Sequence, residues 1–91
     1  MSRADLEQLV SCLRRDNHGR EEWSARFECR RPGDADPILQ AFRRVAGVEA
    51  RLDGDARSLR VTFPRALVVA IARVVRSGGA VYAHAVGGAL K

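Results

Sequence analysis

The chain has 91 residues, 46% hydrophobic and 30% charged, which suits one domain spanning 1–91 and leaves no room for two. Its longest apolar run, Ala66 to Ala72, stops at Arg73, short of the roughly 20 residues that cross a bilayer. Arg3, Asp5 and Glu7 interrupt the stretch where a signal peptide needs apolar residues, so a cytoplasmic protein off the membrane is expected.

Leu6, Leu9, Val10 and Leu13 recur at helical spacing and predict an amphipathic helix over Asp5 to Arg15. Asp16-Asn17-His18-Gly19 ends it, because Asn and Gly accept left-handed backbone. From Glu22 the period becomes two: Trp23, Ala25, Phe27 and Cys29 alternate with Ser24, Arg26, Glu28 and Arg30, a strand buried on one face. Arg31-Pro32-Gly33-Asp34 closes it. A second helix is expected with Asp36 as N-cap and Pro37 at its first position, an apolar stripe of Ile38, Ala41, Phe42 and Val45, and a stop at Gly47.

Val48, Ala50 and Leu52, then Leu59, Val61 and Phe63, mark two strands joined by a turn at Asp53-Gly54-Asp55, paired apolar to apolar. A third helix, Arg65 to Arg76, is apolar over most of its circumference and requires burial on more than one side. A last strand, Val81 to Val86, alternates Val81, Ala83 and Ala85 with Tyr82 and His84, and 87–91 forms a tail. The order is an α+β one. After an extra N-terminal amphipathic helix with its loop (1–21), residues 22–86 follow the ferredoxin-like βαββαβ plan, an antiparallel sheet with two helices on one face.

The stretch from Ile38 to Ala83 carries Ala46-Gly47-Val48 after a helix, a hairpin ending at Phe63, and Gly78-Gly79-Ala80-Val81-Tyr82 after the next helix. In this it resembles heavy-metal-associated domains, ferredoxin-like metal chaperones that hold their metal in a CxxC loop between the first strand and first helix. Here that loop reads Cys29-Arg30-Arg31-Pro32-Gly33-Asp34-Ala35-Asp36. One thiolate beside two cations does not make a soft metal site, so the resemblance implies the fold and neither metal nor cofactor.

Sixteen basic residues, all but one arginine, oppose eleven acidic ones for a formal net charge of +5. That balance favours anionic partners, although a GC-rich coding bias would write the same arginines. Strand parity collects Arg26, Arg30, Arg51, Arg60, Tyr82 and His84 on the sheet face away from the helices, together with Ser24, Glu28, Glu49 and Thr62. RNA-recognition modules stack bases on that face, and cross-strand Arg and Glu pairs on a solvated face would give the same pattern.

His18 and His84 have no acid or thiol at motif spacing. Cys29 reads as core, and Asp53 and Asp55 as turn residues, so no catalytic set assembles. The stripe Leu6, Leu9, Val10 and Leu13 has no apolar sheet face to cover. It is expected to dock a protein partner, a second copy in a dimer or the third helix of its own chain. A non-catalytic binding or assembly module is therefore expected, and the alternative is a nucleic-acid binder using the arginine-rich face.

Overall fold

A computed structural model describes residues 3–53 and 57–84. In chain order it contains helix α1 (Arg3–Asp16), strand β1 (Glu22–Glu28), helix α2 (Ala35–Arg43), strands β2 (Glu49–Asp53) and β3 (Ser58–Pro64), helix α3 (Val68–Gly78) and strand β4 (Val81–His84). Gly54 and Asp55 of the expected turn, Ala85 and Val86 of the expected last strand, and 87–91 lie outside the described residues. Among the described residues no helix is long and apolar enough to cross a membrane.

The four strands form one antiparallel sheet in the order β2-β3-β1-β4. Its register follows from apolar pairing: Trp23 lies opposite Phe63, Ala25 opposite Val61, Phe27 opposite Leu59, and Leu52 opposite Leu59 from the other side. Slipping β1 by one residue would turn three aromatic or aliphatic side chains to water. Leu52, on an edge strand, is nonetheless 41% exposed.

The helix layer departs from the expected pair. α3 lies between α1 and α2 and touches both, and α1 also reaches β4. Leu13 is fully buried in the common core with Phe27, Phe42, Phe63 and Ile71, and Leu9 and Val10 pack against that core, partly buried. Burying a leucine completely stabilises a fold by about 1.5–3 kcal/mol. The α1 stripe is thus largely used within the chain, and three helices, rather than two, cover the sheet.

Helix starts also differ from expectation. A 3-10 turn, Pro32–Asp34, leads into α2 at Ala35 without a side-chain cap, so Asp36 is not the N-cap and Pro37 stands third in the helix. The first-turn N–H groups have no intrahelical partner, so proline is tolerated throughout that turn. Arg65–Leu67 is likewise a 3-10 turn, and α3 begins at Val68. Gly79, at a φ of 78°, caps α3 as expected, whereas α2 ends at Arg43 with Arg44 as its C-cap, so Val45 lies past the helix and Gly47, at a φ of 89°, turns the chain four residues after its end rather than stopping it. α2 and α3 approach so closely at Gly78 that a Cβ there would lie 2.4 Å from Ile38 Cγ1.

β4 is turned over relative to its expected parity. Its pairing with β1 shifts register between Arg26 and Phe27, so that Tyr82 stands opposite Phe27. A bulge of this kind re-aims the side chains beyond it. Tyr82 therefore faces the core and Val81 is 67% exposed.

Candidate functional site

The uncovered sheet face carries transverse rows of side chains, because residues directly opposite one another in antiparallel strands share a face. One row is cationic: Arg51 on β2 lies opposite Arg60 on β3, which lies opposite Arg26 on β1. The backbone of His84 on β4 continues the row opposite Arg26. Cβ atoms so placed are about 4.5–5.5 Å apart, and like charges at that spacing destabilise the sheet.

The neighbouring rows relieve part of that repulsion. On one side Ser58 and Glu28 pair, and on the other Glu49, Thr62 and Ser24 align. Arg26 Nη2 lies 3.5 Å from Glu28 Oε2 and donates to Ser58 Oγ at 3.5 Å. Both partners of that ion pair are nearly half-exposed, so the pair contributes only about 0.2–1 kcal/mol. Arg26 Nε is buried and has no acceptor among the described residues. A shallow hollow of about 370 Å³ lies between Glu49, Arg51, Arg60 and Thr62.

Two of the expected site residues, Tyr82 and Arg30, leave this face or stand apart from it. Tyr82 is on the helix side: its ring packs on Phe27 with centroids 5.7 Å apart, and its hydroxyl donates to Asp16 Oδ2 at 2.5 Å. Burial, with the Asp16 carboxylate second, pushes the Tyr82 phenol well above its ordinary range. The described part of the open face consequently presents arginines without an aromatic ring. Arg30 lies beyond the end of β1, exposed, after Cys29 N–H has bonded to the Arg57 carbonyl at 2.8 Å. For His84, only the backbone position is described.

The remaining candidates are structural. Cys29 is 4% exposed, and burial followed by the Asp34 charge pushes its thiol up, the opposite of what a nucleophile or metal ligand requires. Leu13, Leu9 and Val10 pack inside the chain. Of the three alternatives for this stripe, the packing matches docking on the third helix of the same chain, because α3 supplies the apolar surface that the sheet's open face lacks. Leu6 is half-buried beside Arg73, Arg76 and Ser77. An apolar groove of about 540 Å³ between α2 and α3 is floored by Ile38, Ala41 and Val74, with Asp34, Arg73 and Ser77 also lining it. Among the described residues no three His, Cys, Asp or Glu side chains come together as metal ligands.

Sequence spacing does not single out Asn17, yet its buried amide bonds three backbone groups: Nδ2 donates to the carbonyls of Leu13 (2.9 Å) and Ser24 (3.2 Å), and Oδ1 accepts from Ser24 N–H (3.0 Å). Nor does it single out Arg14, His18, Arg20 and Arg65, which come from three segments and surround a second hollow beside Trp23. Comparison of the chain with protein-family models, curated proteins and solved structures gave no match.

Proposed function

We propose that this chain is a non-catalytic module of ferredoxin-like topology that binds the sugar-phosphate backbone of a nucleic acid on its uncovered sheet face. The observation that carries this reading is the in-register row Arg51, Arg60 and Arg26. Three guanidiniums set opposite one another reduce stability, and a polyanion laid across the strands would reverse the sign of that repulsion. The strand order, with α2 joining β1 to β2 across β3 and α3 joining β3 to β4 across β1, supports the topology. A protein-docking role loses its main support once the α1 stripe is packed in the core.

The contacts are to phosphates rather than bases, because the described part of the face carries no ring on which a base would stack. Binding is then independent of sequence and steeply salt-dependent. Neutralising three phosphates gives a slope of log K against log salt of about −2 for a single strand and −2.7 for duplex DNA. Fluorescence anisotropy with a labelled single strand and a labelled duplex across a salt series tests this. Arg51→Gln or Arg60→Gln is expected to lower the slope by about 0.7–0.9, according to the probe. No binding at low salt, or slopes unchanged in both variants, rejects the reading.

A further inference from the structure

The hollow beside Trp23 has a volume of about 430 Å³, within the range of small-molecule sites. Its rim is cationic and is drawn from three parts of the chain. Arg14 comes from the last turns of α1, His18 and Arg20 from the loop that follows, and Arg65 from the turn before α3. None of the residues lining it is acidic. Glu21 and Glu22 adjoin Arg20 and Trp23 in sequence but are exposed and do not line the hollow, and Asp16 is engaged elsewhere by Arg15 and Tyr82. Arg14, Arg20 and Arg65 make no side-chain hydrogen bond or ion pair among the described residues.

The backbone carrying these charges is held in place. Trp23 Nε1 donates to the Arg20 carbonyl at 2.8 Å, Arg20 N–H bonds to the Asn17 carbonyl at 3.1 Å, and Arg65 N–H bonds to the Glu21 carbonyl at 3.1 Å. Asn17 in turn clamps α1 to β1 through Ser24. The backbone of Arg20 and Arg65 is thereby held at one rim whose lining includes no carboxylate, so part of the cost of gathering the three arginines falls in folding rather than in binding. Val68, the first residue of α3, forms part of the wall, and no side chain caps the helix at Leu67, so the positive end of the helix dipole lies at this wall.

We propose that this hollow is a binding site for a phosphate monoester, with Arg14, Arg20 and Arg65 gripping the phosphoryl oxygens and Trp23 with Val68 forming the apolar wall. A doubly charged tetrahedral anion answers three arginines around one hollow better than a carboxylate, because it offers three acceptor oxygens and twice the charge. The site lies on different residues from the arginine row and does not depend on it.

Trp23 is the single tryptophan of the chain, so both the fluorescence and the indole N–H resonance of the protein come from one residue, which lines this hollow. Titration of the intact protein with phenyl phosphate, and separately with benzoate as the carboxylate control, is expected to move both signals saturably for phenyl phosphate and at least tenfold more weakly for benzoate. Arg20→Gln and Arg65→Gln, both exposed positions, are expected to weaken phenyl phosphate roughly tenfold each while leaving the far-ultraviolet circular dichroism unchanged. Arg51→Gln, on the open face, leaves the affinity as it is. Equal affinity for benzoate, no saturable change at millimolar phenyl phosphate, or retained affinity in folded Arg20→Gln and Arg65→Gln proteins would overturn the proposal.

Discussion

Asn17 offers the sharpest test of how the helix layer is tied to the sheet. Its side chain is 1% exposed and meets three backbone groups, of which the Leu13 carbonyl also accepts the Asn17 N–H at 3.1 Å. In Asn17→Ala that carbonyl keeps a partner, but the N–H and carbonyl of Ser24 both lose the bonds that Asn17 gave them. A buried polar group left unsatisfied costs about 1–3 kcal/mol. Ser24 is half-buried, so water recovers part of this, and the expected loss is about 2–4 kcal/mol. Asn17→Asp separates hydrogen bonding from packing. It retains the acceptor for Ser24 N–H but sets an anionic oxygen against two carbonyl oxygens, which holds its carboxyl above the ordinary value near 3.9 in the folded state. The unfolded chain then releases that proton first as pH rises, so the penalty is full above the folded-state pKa and fades as pH falls toward 4. Denaturant unfolding followed by Trp23 fluorescence, with wild type at each pH, measures both effects. A loss below 0.5 kcal/mol for Asn17→Ala, or an Asn17→Asp deficit that stays constant from pH 7 to 4, refutes the reasoning.

Two further predictions concern contacts that spacing does not show. Gly78→Ala, a change that ordinarily gains about 1 kcal/mol in a helix, is expected to destabilise by about 1–3 kcal/mol because the new Cβ meets Ile38 Cγ1 and Cδ1 at 2.4 and 2.7 Å. The penalty should shrink in an Ile38→Ala background, and additive effects in the double-mutant cycle would dismiss the steric cause. Tyr82→Phe should cost about 1 kcal/mol at pH 7 through the lost bond to Asp16. The unfolded phenol ionises near pH 10 while the folded one stays protonated to higher pH, so wild-type stability falls above about pH 10. Chemical denaturation at pH 7 to 11 should therefore show the gap to Tyr82→Phe closing with alkali, and a constant gap would show that the phenol is not held up.

Most of the helix-facing surface was legible from alternation. Trp23, Ala25 and Phe27 on β1 with Cys29 just past its end, and Leu59, Val61 and Phe63 on β3, are all buried, because a strand covered on one side has only one apolar parity. β4 fails by the same rule. Four residues with one aromatic side chain are compatible with either face, and the deciding bulge lies against the partner strand, between Arg26 and Phe27, where no local pattern records it. The α1 stripe predicted burial and left the burying surface open between α3 and another chain. Periodicity gives a helix its apolar side, and the tertiary contacts pick α3 from those alternatives.

Charge was legible as composition and, for Arg26, Arg51 and Arg60, as location, but not for the rim beside Trp23. The hairpin pairing that sets Arg51 opposite Arg60 follows from matching Leu52 with Leu59, whereas the place of Arg26 in the same row depends on a pairing more than thirty residues away. Arg14, Arg20 and Arg65 converge only because Asn17 and Trp23 fix a loop against the start of α3. The two basic surfaces therefore have different physical origins. The row exists because all three helices lie on the other side of the sheet, and loosening the α1 loop leaves its register intact. The hollow exists because that loop is pinned. Asn17→Ala should consequently weaken phenyl phosphate binding while sparing the salt slope of nucleic-acid binding, and parallel loss of both activities in a protein still folded by circular dichroism would mean that the two surfaces are one site.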